Sequence, residues 1–358
     1  MLVTVGMFLF NLLCGLVPCD PQLPKPEILD IPRDVRIRAR NIDNRIVEPI
    51  VKLPIGIVEG YRMKSMNGRD FFAFEGIPYG ESTGGSRRWK PPVPKRPWRG
   101  VRQAKKPGSD CLQMSVAKLF RVYGSEDCLY LNVYTPQQPY NYFTFAYSTI
   151  LKHFFSFRIP IRVLMVYRLS FSSMEGSGSE YGPAYLLNED IVLITLNYRL
   201  GVLGFFSTGD HHMPGNYGAH LHLISNKTRN YFSSVVSSSG TAFQTWGLQS
   251  PEKLKYFSNR LAQRFGCQNE DSYELVQCMK RMDSNLLAAA QLSLFDWFPF
   301  PPVLFSPTIE PPHPDAFLTV SPEEAYRTGV VAKKPFIMGV TKDEGKTAMM
   351  SKLLSSIT

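Results

Sequence analysis

One short motif has the residue types that nucleophilic chemistry uses. The segment Gly80–Gly84 fits the pattern G-x-S-x-G, in which a strained turn between a buried strand and a helix exposes a serine hydroxyl for attack on a carbonyl carbon. Pro78 precedes this motif, and the stretch Arg87–Pro94 that follows contains three prolines and is therefore unsuited to begin a helix. We interpret Ser82 as a coincidental match rather than a nucleophile.

The strands that must position a site are marked by apolar runs. Ile191–Leu196 is a continuous aliphatic run bounded by acidic residues before it and by the polar residues Asn197–Arg199 after it. Such a run without alternation is typical of a strand buried on both faces, as in α/β proteins. Arg162–Tyr167 predicts a second buried strand. Because open α/β sheets place their sites beyond the carboxyl ends of strands, we expect a crevice after Leu196.

Other elements follow from turn and cap signals. Ile55–Met63 and Phe71–Phe74 predict antiparallel strands joined at Asn67-Gly68, and Ser125–Pro136 predicts another strand. Helix signals appear at several later positions. The predicted later elements are helices over Pro251–Phe265, from Asp271 to about Met282, over Ser284–Leu294 and between Ser321 and Gly329, and a short buried strand over Phe336–Val340.

Five blocks in one order resemble the type-B carboxylesterase family, which includes cholinesterases, insect esterases and non-catalytic adhesion relatives. The blocks are FFAFEGIPYG from Phe71, SEDCLYLNVYTP from Ser125, NYRLGVLGFFS from Asn197 with a PGNYG turn, SSSGTAFQTWGLQ from Ser237 and PFIMGVTKDEG from Pro335. The resemblance implies an α/β-hydrolase fold, with a mostly parallel central sheet flanked by helices. It also implies serine-type hydrolysis of a small-molecule carboxylic ester without a cofactor.

The chain departs from this pattern at the parts that perform the chemistry. Acyl transfer needs a serine, a histidine base, an acid that orients the histidine, and donors for the oxyanion. By resemblance, Glu344 takes the position of the acid. The glycine-rich oxyanion loop is replaced by Arg168–Ser173, which contains no glycine.

The nucleophile strand and its serine are expected after the PGNYG turn, but Gly218 is followed directly by Ala219. No histidine follows His313 before the chain ends at Thr358, which predicts that the base and the C-terminal part are also missing. In the resembled fold the nucleophile strand lies in the middle of the sheet. Its loss predicts that its neighbours pair anew or expose unpaired edges.

Four histidines lie close together in sequence, at positions 211, 212, 220 and 222. The last two are separated by two positions, and on the helix that the resemblance implies they do not share a face. Solvated or packed histidines therefore explain the group better than a metal site. We predict neither a metal nor a cofactor.

The N-terminal region predicts export. Residues 1–17 carry no charge, and residues 1–19 resemble a signal peptide with cleavage near Cys19. Residues 20–49 form a Pro- and Arg-rich arm. A secreted chain is compatible with a glycan at the sequon that begins with Asn226.

Removal of the leader leaves an even set of four cysteines, as is usual in an oxidising compartment. The resemblance implies the pairs Cys111–Cys128 and Cys267–Cys278. Four free buried thiols remain the alternative if the leader is misread.

The formal charge of +10 is concentrated in places. Nine of the twenty residues in Arg87–Lys106 are Lys or Arg, a density that could bind heparin, nucleic acid or anionic lipid. Its prolines and tryptophans follow the resembled family's connection, so a solvated surface explains it better, and no nucleic-acid-binding module accompanies it. Residues 137–159 are an aromatic-rich insertion whose uncharged part, Gln137–Leu151, is too short to span a bilayer, so a membrane anchor is disfavoured.

The sequence thus predicts a partial type-B carboxylesterase domain over residues 50–358. We expect a carboxylic ester hydrolase by lineage whose chain, as written, is inactive. The alternative is a secreted, non-catalytic adhesion or binding member of the same fold. Neither the ester nor the oligomeric state is readable from the residues.

Overall fold

The computed structural model describes residues 48–115, 121–136, 162–166, 176–180, 182–216, 228, 232–238, 240, 242–243, 247–295, 303–340 and 342. All of them belong to the unit Val47–Thr358. The predictions for the signal peptide, for most of the arm, for the insertion over 137–159, for Asn226 and for Glu344 concern residues outside this described part.

Two hairpins begin the described chain. Strands β1 (Ile50–Leu53) and β2 (Gly56–Glu59) pair antiparallel, and β5 (Val101–Gln103) adds to β2 in parallel. Strands β3 (Tyr61–Lys64) and β4 (Asp70–Pro78) form the second hairpin, as the Asn67-Gly68 signal predicts.

The sequence predicts one continuous strand over Ile55–Met63, but the structure divides it at Gly60 into β2 and β3. A Cβ at Gly60 would lie 2.3 Å from the carbonyl oxygen of Ala73, so the close approach of the two segments requires glycine there.

The central sheet has the order β3-β4-β8-β10-β9, with β8 at Tyr130–Thr135, β9 at Arg162–Val166 and β10 at Ile191–Leu196. In the described strands its parallel pairing is confined to β9 and β10, and the three other neighbouring pairs are antiparallel. The antiparallel part is the one that starts from a tight hairpin, a connection that only antiparallel strands can use. A further small sheet pairs β6 (Gln113–Ser115) with β7 (Arg121–Tyr123).

The sheet is covered on both faces, as the apolar run in β10 predicts. Leu131 and Val133 of β8 pack in one cluster with Ile194, whereas Tyr134 packs in another with Leu193. Alternate residues of one strand therefore enter two separate cores, which is the period of two that the β8 sequence predicts.

The helices confirm the cap signals. Helix α1 (Gly201–Phe205) is followed by α2 (Pro251–Arg264), whose Leu254, Phe257 and Leu261 are buried. Asp271 caps α3 (Ser272–Lys280), and Ser321 caps α5 (Pro322–Arg327), which ends before Gly329 at a φ of 71°. Helix α4 (Ser284–Ala290) is shorter than predicted, because Gln291–Leu294 tightens into a 3₁₀ turn.

One prediction is wrong. Strand β12 (Phe336–Gly339) forms as expected, but all four of its residues are exposed rather than buried. It pairs in parallel only with β11 (Val235–Ser238), and these two strands form a sheet of their own. Without a third strand or a covering layer among the described residues, its apolar side chains stay in contact with solvent.

Candidate active site

The structure does not place Ser82 on the strand–turn–helix unit that a nucleophilic serine of this motif requires. Strand β4 ends at Pro78, and the motif is followed by a 3₁₀ helix of three residues, Gly85–Arg87. The Ser82 hydroxyl accepts a hydrogen bond from the backbone amide of Gly84 at 3.4 Å, which is a local turn contact. In the part of the chain that is described, no imidazole lies within hydrogen-bond distance of this hydroxyl, so a proton acceptor is missing there.

The neighbouring residue Glu81 shows what this turn does instead. Its carboxylate is buried and accepts hydrogen bonds from the backbone amide and Nε of Arg96 at 3.1 and 3.0 Å, and from Nζ of Lys95 at 3.1 Å. The Arg96 amide, followed by Lys95, lowers the pKa of Glu81 to about 2. The carboxylate therefore fixes part of the cationic segment against the turn and does not offer a base near neutral pH.

A buried polar network occupies the crevice at the carboxyl end of β10, where the sequence predicts the site. The Oδ1 atom of Asn197 accepts from the backbone amide of Gly178 at 2.8 Å, and its Nδ2 donates to the carbonyl of Ser109 at 2.9 Å. Nδ2 of Asn132 donates to the Gly178 carbonyl at 3.2 Å and to Oγ1 of Thr195 at 3.1 Å. Gly178 is thus held through both of its backbone polar groups.

Glycine is required at position 178, since a Cβ there would lie 2.8 Å from the backbone nitrogen of Leu196. Gly176 is held in the same way, because its amide donates to Oε1 of Gln113 at 2.9 Å. These glycines begin the segment where the resemblance resumes after Arg168–Ser173, which lies outside the described residues. Their amides are consumed by the scaffold and are not available to an oxyanion.

The structure reveals an acid–imidazole pair that sequence reasoning missed. Nε2 of His313 lies 3.2 Å from Oε2 of Glu310, and the Glu310 side chain is only 3% exposed. The other carboxylate oxygen, Oε1, accepts from Nδ2 of Asn216 at 2.6 Å and from the amides of Phe317 and Leu318 at 2.9 and 3.0 Å. Asn216, in the PGNYG turn, adopts a φ of 61°.

This pair is a clamp rather than a catalytic dyad. Three of the partners of Glu310 are fixed donors that join the PGNYG turn to the loop before α5. Among the described residues, no serine or threonine hydroxyl lies within hydrogen-bond distance of His313. The only available signal was the isolated acid between apolar and proline residues at 307–312, which a sequence pattern cannot separate from an exposed turn carboxylate.

Some of the remaining predicted residues lie in the described part of the chain, and others lie outside it. The disulfides Cys111–Cys128 and Cys267–Cys278 are both formed. His211 and His212 are exposed. His220 and His222 lie outside the described residues, and no cluster suited to a metal ion occurs within them. No helix in the described ranges has the length and apolar character needed to cross a bilayer.

The chain is similar to known proteins along most of its length. The model of the "Carboxylesterase family" matches residues 47–220 and 219–356. The chain is 32% identical to Esterase FE4 of Myzus persicae over 83% of its own length and 56% of that protein, and 30% identical to juvenile hormone esterase of Tribolium castaneum over 83% and 55%. It therefore spans about half the length of these curated relatives.

A solved structure shows the same fold. The crystal structure of juvenile hormone esterase from Manduca sexta, with OTFP covalently attached, superposes with a TM-score of 0.71 at 23% identity, covering 86% of this chain and 64% of that one. The likeness shows the α/β-hydrolase fold. The family matches the chain in two segments that meet and overlap at residues 219–220, next to the Gly218–Ala219 junction where the sequence predicts the lost nucleophile segment.

Proposed function

Since the chain belongs to the carboxylesterase family, we propose that its function is rooted in serine-type hydrolysis of a small-molecule carboxylic ester, and that the 358-residue chain does not itself turn an ester over. The names of its relatives, among them esterases of aphid and beetle, support the substrate class.

One observation carries the inactivity. The PGNYG turn is held in place, with Nδ2 of Asn216 donating to the Thr308 carbonyl at 2.6 Å and Oδ1 accepting from the Thr308 amide at 2.8 Å. Two residues after Asn216, the chain passes from Gly218 directly to Ala219, with no G-x-S-x-G between them. Asn216 is therefore held in place, whereas the sequence that follows it contains no elbow.

The chemistry makes this loss decisive. A serine hydroxyl attacks a carbonyl only when a base takes its proton and when donors stabilise the negative charge that develops on the carbonyl oxygen. Ser82 has no imidazole partner in the described residues, and the amides of Gly176 and Gly178 are already occupied. The chain therefore lacks the groups that would lower the activation barrier of ester hydrolysis.

We also propose that the chain enters the secretory pathway and carries a glycan at Asn226. The two disulfides support this, because such bonds persist in oxidising compartments. A mass shift of the expressed chain on treatment with a glycosidase, absent in Asn226→Gln, tests the glycan.

Hydrolysis of p-nitrophenyl butyrate by the purified full chain tests the activity. We expect a rate equal to that of a protein-free blank and no covalent adduct by intact mass spectrometry after treatment with an organophosphate. The matched variant Ser82→Ala should give the same result. Turnover above the blank that disappears in Ser82→Ala would show that Ser82 is a nucleophile and would overturn the proposal.

A further inference from the structure

A groove lies on the surface at the edge of the cationic segment, away from the crevice at β10. Its volume is 490 Å³, and it runs between the start of the 3₁₀ helix Gly85–Arg87 and one side of α3, from Tyr273 in the first turn to Arg281 just after the last. The polar side chains that line it include Ser86, Glu274, Gln277, Lys280 and Arg281.

Arg88 fixes the two walls of this groove against each other. Its Nη1 donates to the carbonyls of Met282 and Lys280 at 2.6 and 3.2 Å, which satisfies acceptors at the C-terminal end of α3. Its Nε and Nη2 donate to Glu126 at 2.8 and 2.7 Å. Because Arg88 is only 6% exposed and its charge is matched by Glu126, it holds the structure and is not a free cation.

This arrangement brings together two lysines that are far apart in sequence. Lys280 is partly buried, and that burial, followed by the nearby charge of Lys90, lowers the pKa of its ammonium group. The backbone of Lys90 is fixed, because its carbonyl accepts from Nη2 of Arg199 at 2.7 Å. Lys280 is thus a partly buried cation with a second cation, Lys90, in its neighbourhood.

These cations have no counter-charge in the described part of the chain. No carboxylate oxygen there lies within 4.0 Å of Lys90, Lys280 or Arg281, whereas Lys95, Arg96 and Lys105 of the same cationic segment all pair with glutamates. Glu274 is the acid that lines the groove, so its lining residues Lys280 and Arg281 exceed their acidic neighbour by one positive charge.

We propose that this groove binds an oxyanion, the sulfate or phosphate group of a monoester, with Lys280 and Arg281 as its cationic contacts. Ser86 and Gln277 supply neutral donors from the same lining. A tetrahedral oxyanion accepts several charge-assisted hydrogen bonds and relieves the repulsion between Lys280 and Lys90. The site is independent of ester turnover, since no residue in it belongs to the crevice at β10.

Calorimetric titration of the full chain tests the proposal with three probes: inorganic sulfate, inorganic phosphate and a heparin-derived hexasaccharide. Lys280→Gln should weaken sulfate binding by about tenfold, as expected for loss of a charge-assisted hydrogen bond. Lys253→Gln, which removes the same charge from an exposed position on α2, should leave it unchanged. Glu274→Gln should strengthen it by up to about tenfold, the effect of one unit charge on a dianion roughly 6 Å away in a water-like dielectric.

The comparison of Lys280→Gln with Lys253→Gln distinguishes a specific site from diffuse attraction. Equal affinities in Lys280→Gln and Lys253→Gln would show only diffuse attraction to a basic surface and would refute the site. Thermal unfolding of Lys280→Gln without sulfate should show no loss of stability, because a repelled cation has been removed, and this separates a binding defect from misfolding. Binding of the hexasaccharide but of neither inorganic ion would assign the source to a sulfated polysaccharide, whereas binding of the free ions assigns it to a small oxyanion.

Discussion

The hairpin-built sheet β3-β4-β8-β10-β9 and the ribbon β11–β12 are made of similar residues with opposite results. Phe74 in β4 is fully buried, whereas Phe336 in β12 is 53% exposed. In the first region β3 and β4, which lie side by side, also follow one another in the chain. The ribbon follows the Gly218–Ala219 junction, where the sequence predicts that a neighbouring strand has been lost. A β-strand is buried only when its neighbours are present, whatever its own sequence.

The largest expected contrast is between two matched substitutions. Phe74→Ala should lower the free energy of unfolding by about 3–5 kcal/mol, because it leaves a cavity in a closed core. Phe336→Ala should lower it by less than about 1 kcal/mol, since its side chain is already half in solvent. Urea denaturation of both variants measures the difference. Similar losses would mean that the ribbon is covered in solution, and the comparison would fail.

The disulfides provide a second, smaller contrast. Cys111–Cys128 closes a loop with a sequence separation of 17 and is almost fully buried in the region of the central sheet. Its replacement by two alanines should cost about 3 kcal/mol in the loop-entropy model. Thermal unfolding of this variant, beside the equivalent variant of Cys267–Cys278, measures the cost. A cost near zero would show that the unfolded chain is already constrained by other contacts.

A pH titration should show the smallest effect. The hydrogen bonds from the Arg96 amide and from Lys95 lower the pKa of Glu81 to about 2 in the folded chain, from an ordinary value of 4.5. Because the folded pKa is the lower one, the contribution of this carboxylate to stability is present above pH 4.5 and is lost as the pH falls toward 2.

Glu81→Gln should therefore flatten the decrease of the unfolding midpoint between these two pH values. Glu270→Gln, at an exposed position, serves as the matched control. An unchanged profile in Glu81→Gln would show that the carboxylate is not paired with its cationic neighbours in solution.

The contrast between the regions also explains which predictions held. The Asn67-Gly68 hairpin and the caps at Asp271 and Ser321 depend on neighbours within a few residues, and all were predictable. The burial of β10 was predicted from its continuous apolar run and is realised because β8 and β9 both pair with it. The burial of β12 was not predictable, because it depends on a strand from elsewhere in the chain.

The candidate site divides in the same way. The sequence predicts that parts of the site are lost, from a junction without a G-x-S-x-G motif and a segment without glycine. The occupation of the Gly178 amide by Asn197 and the pairing of His313 with Glu310 are visible only in space. Asn and Glu side chains have too many alternative partners for a sequence to select one.

The sequence by itself determined the positions of most strands and helices, because caps, turns and apolar runs are recorded in residue types at short spacing, and the resemblance of its five blocks implied the family and both disulfide pairs. The tertiary structure decided that β12 is exposed, that polar groups of the chain itself fill the space after β10, and that Lys280 and Arg281 line one groove with Ser86. These features depend on contacts between segments that are distant in the sequence. Such contacts are set by the free energy of packing whole elements together and not by a local residue pattern.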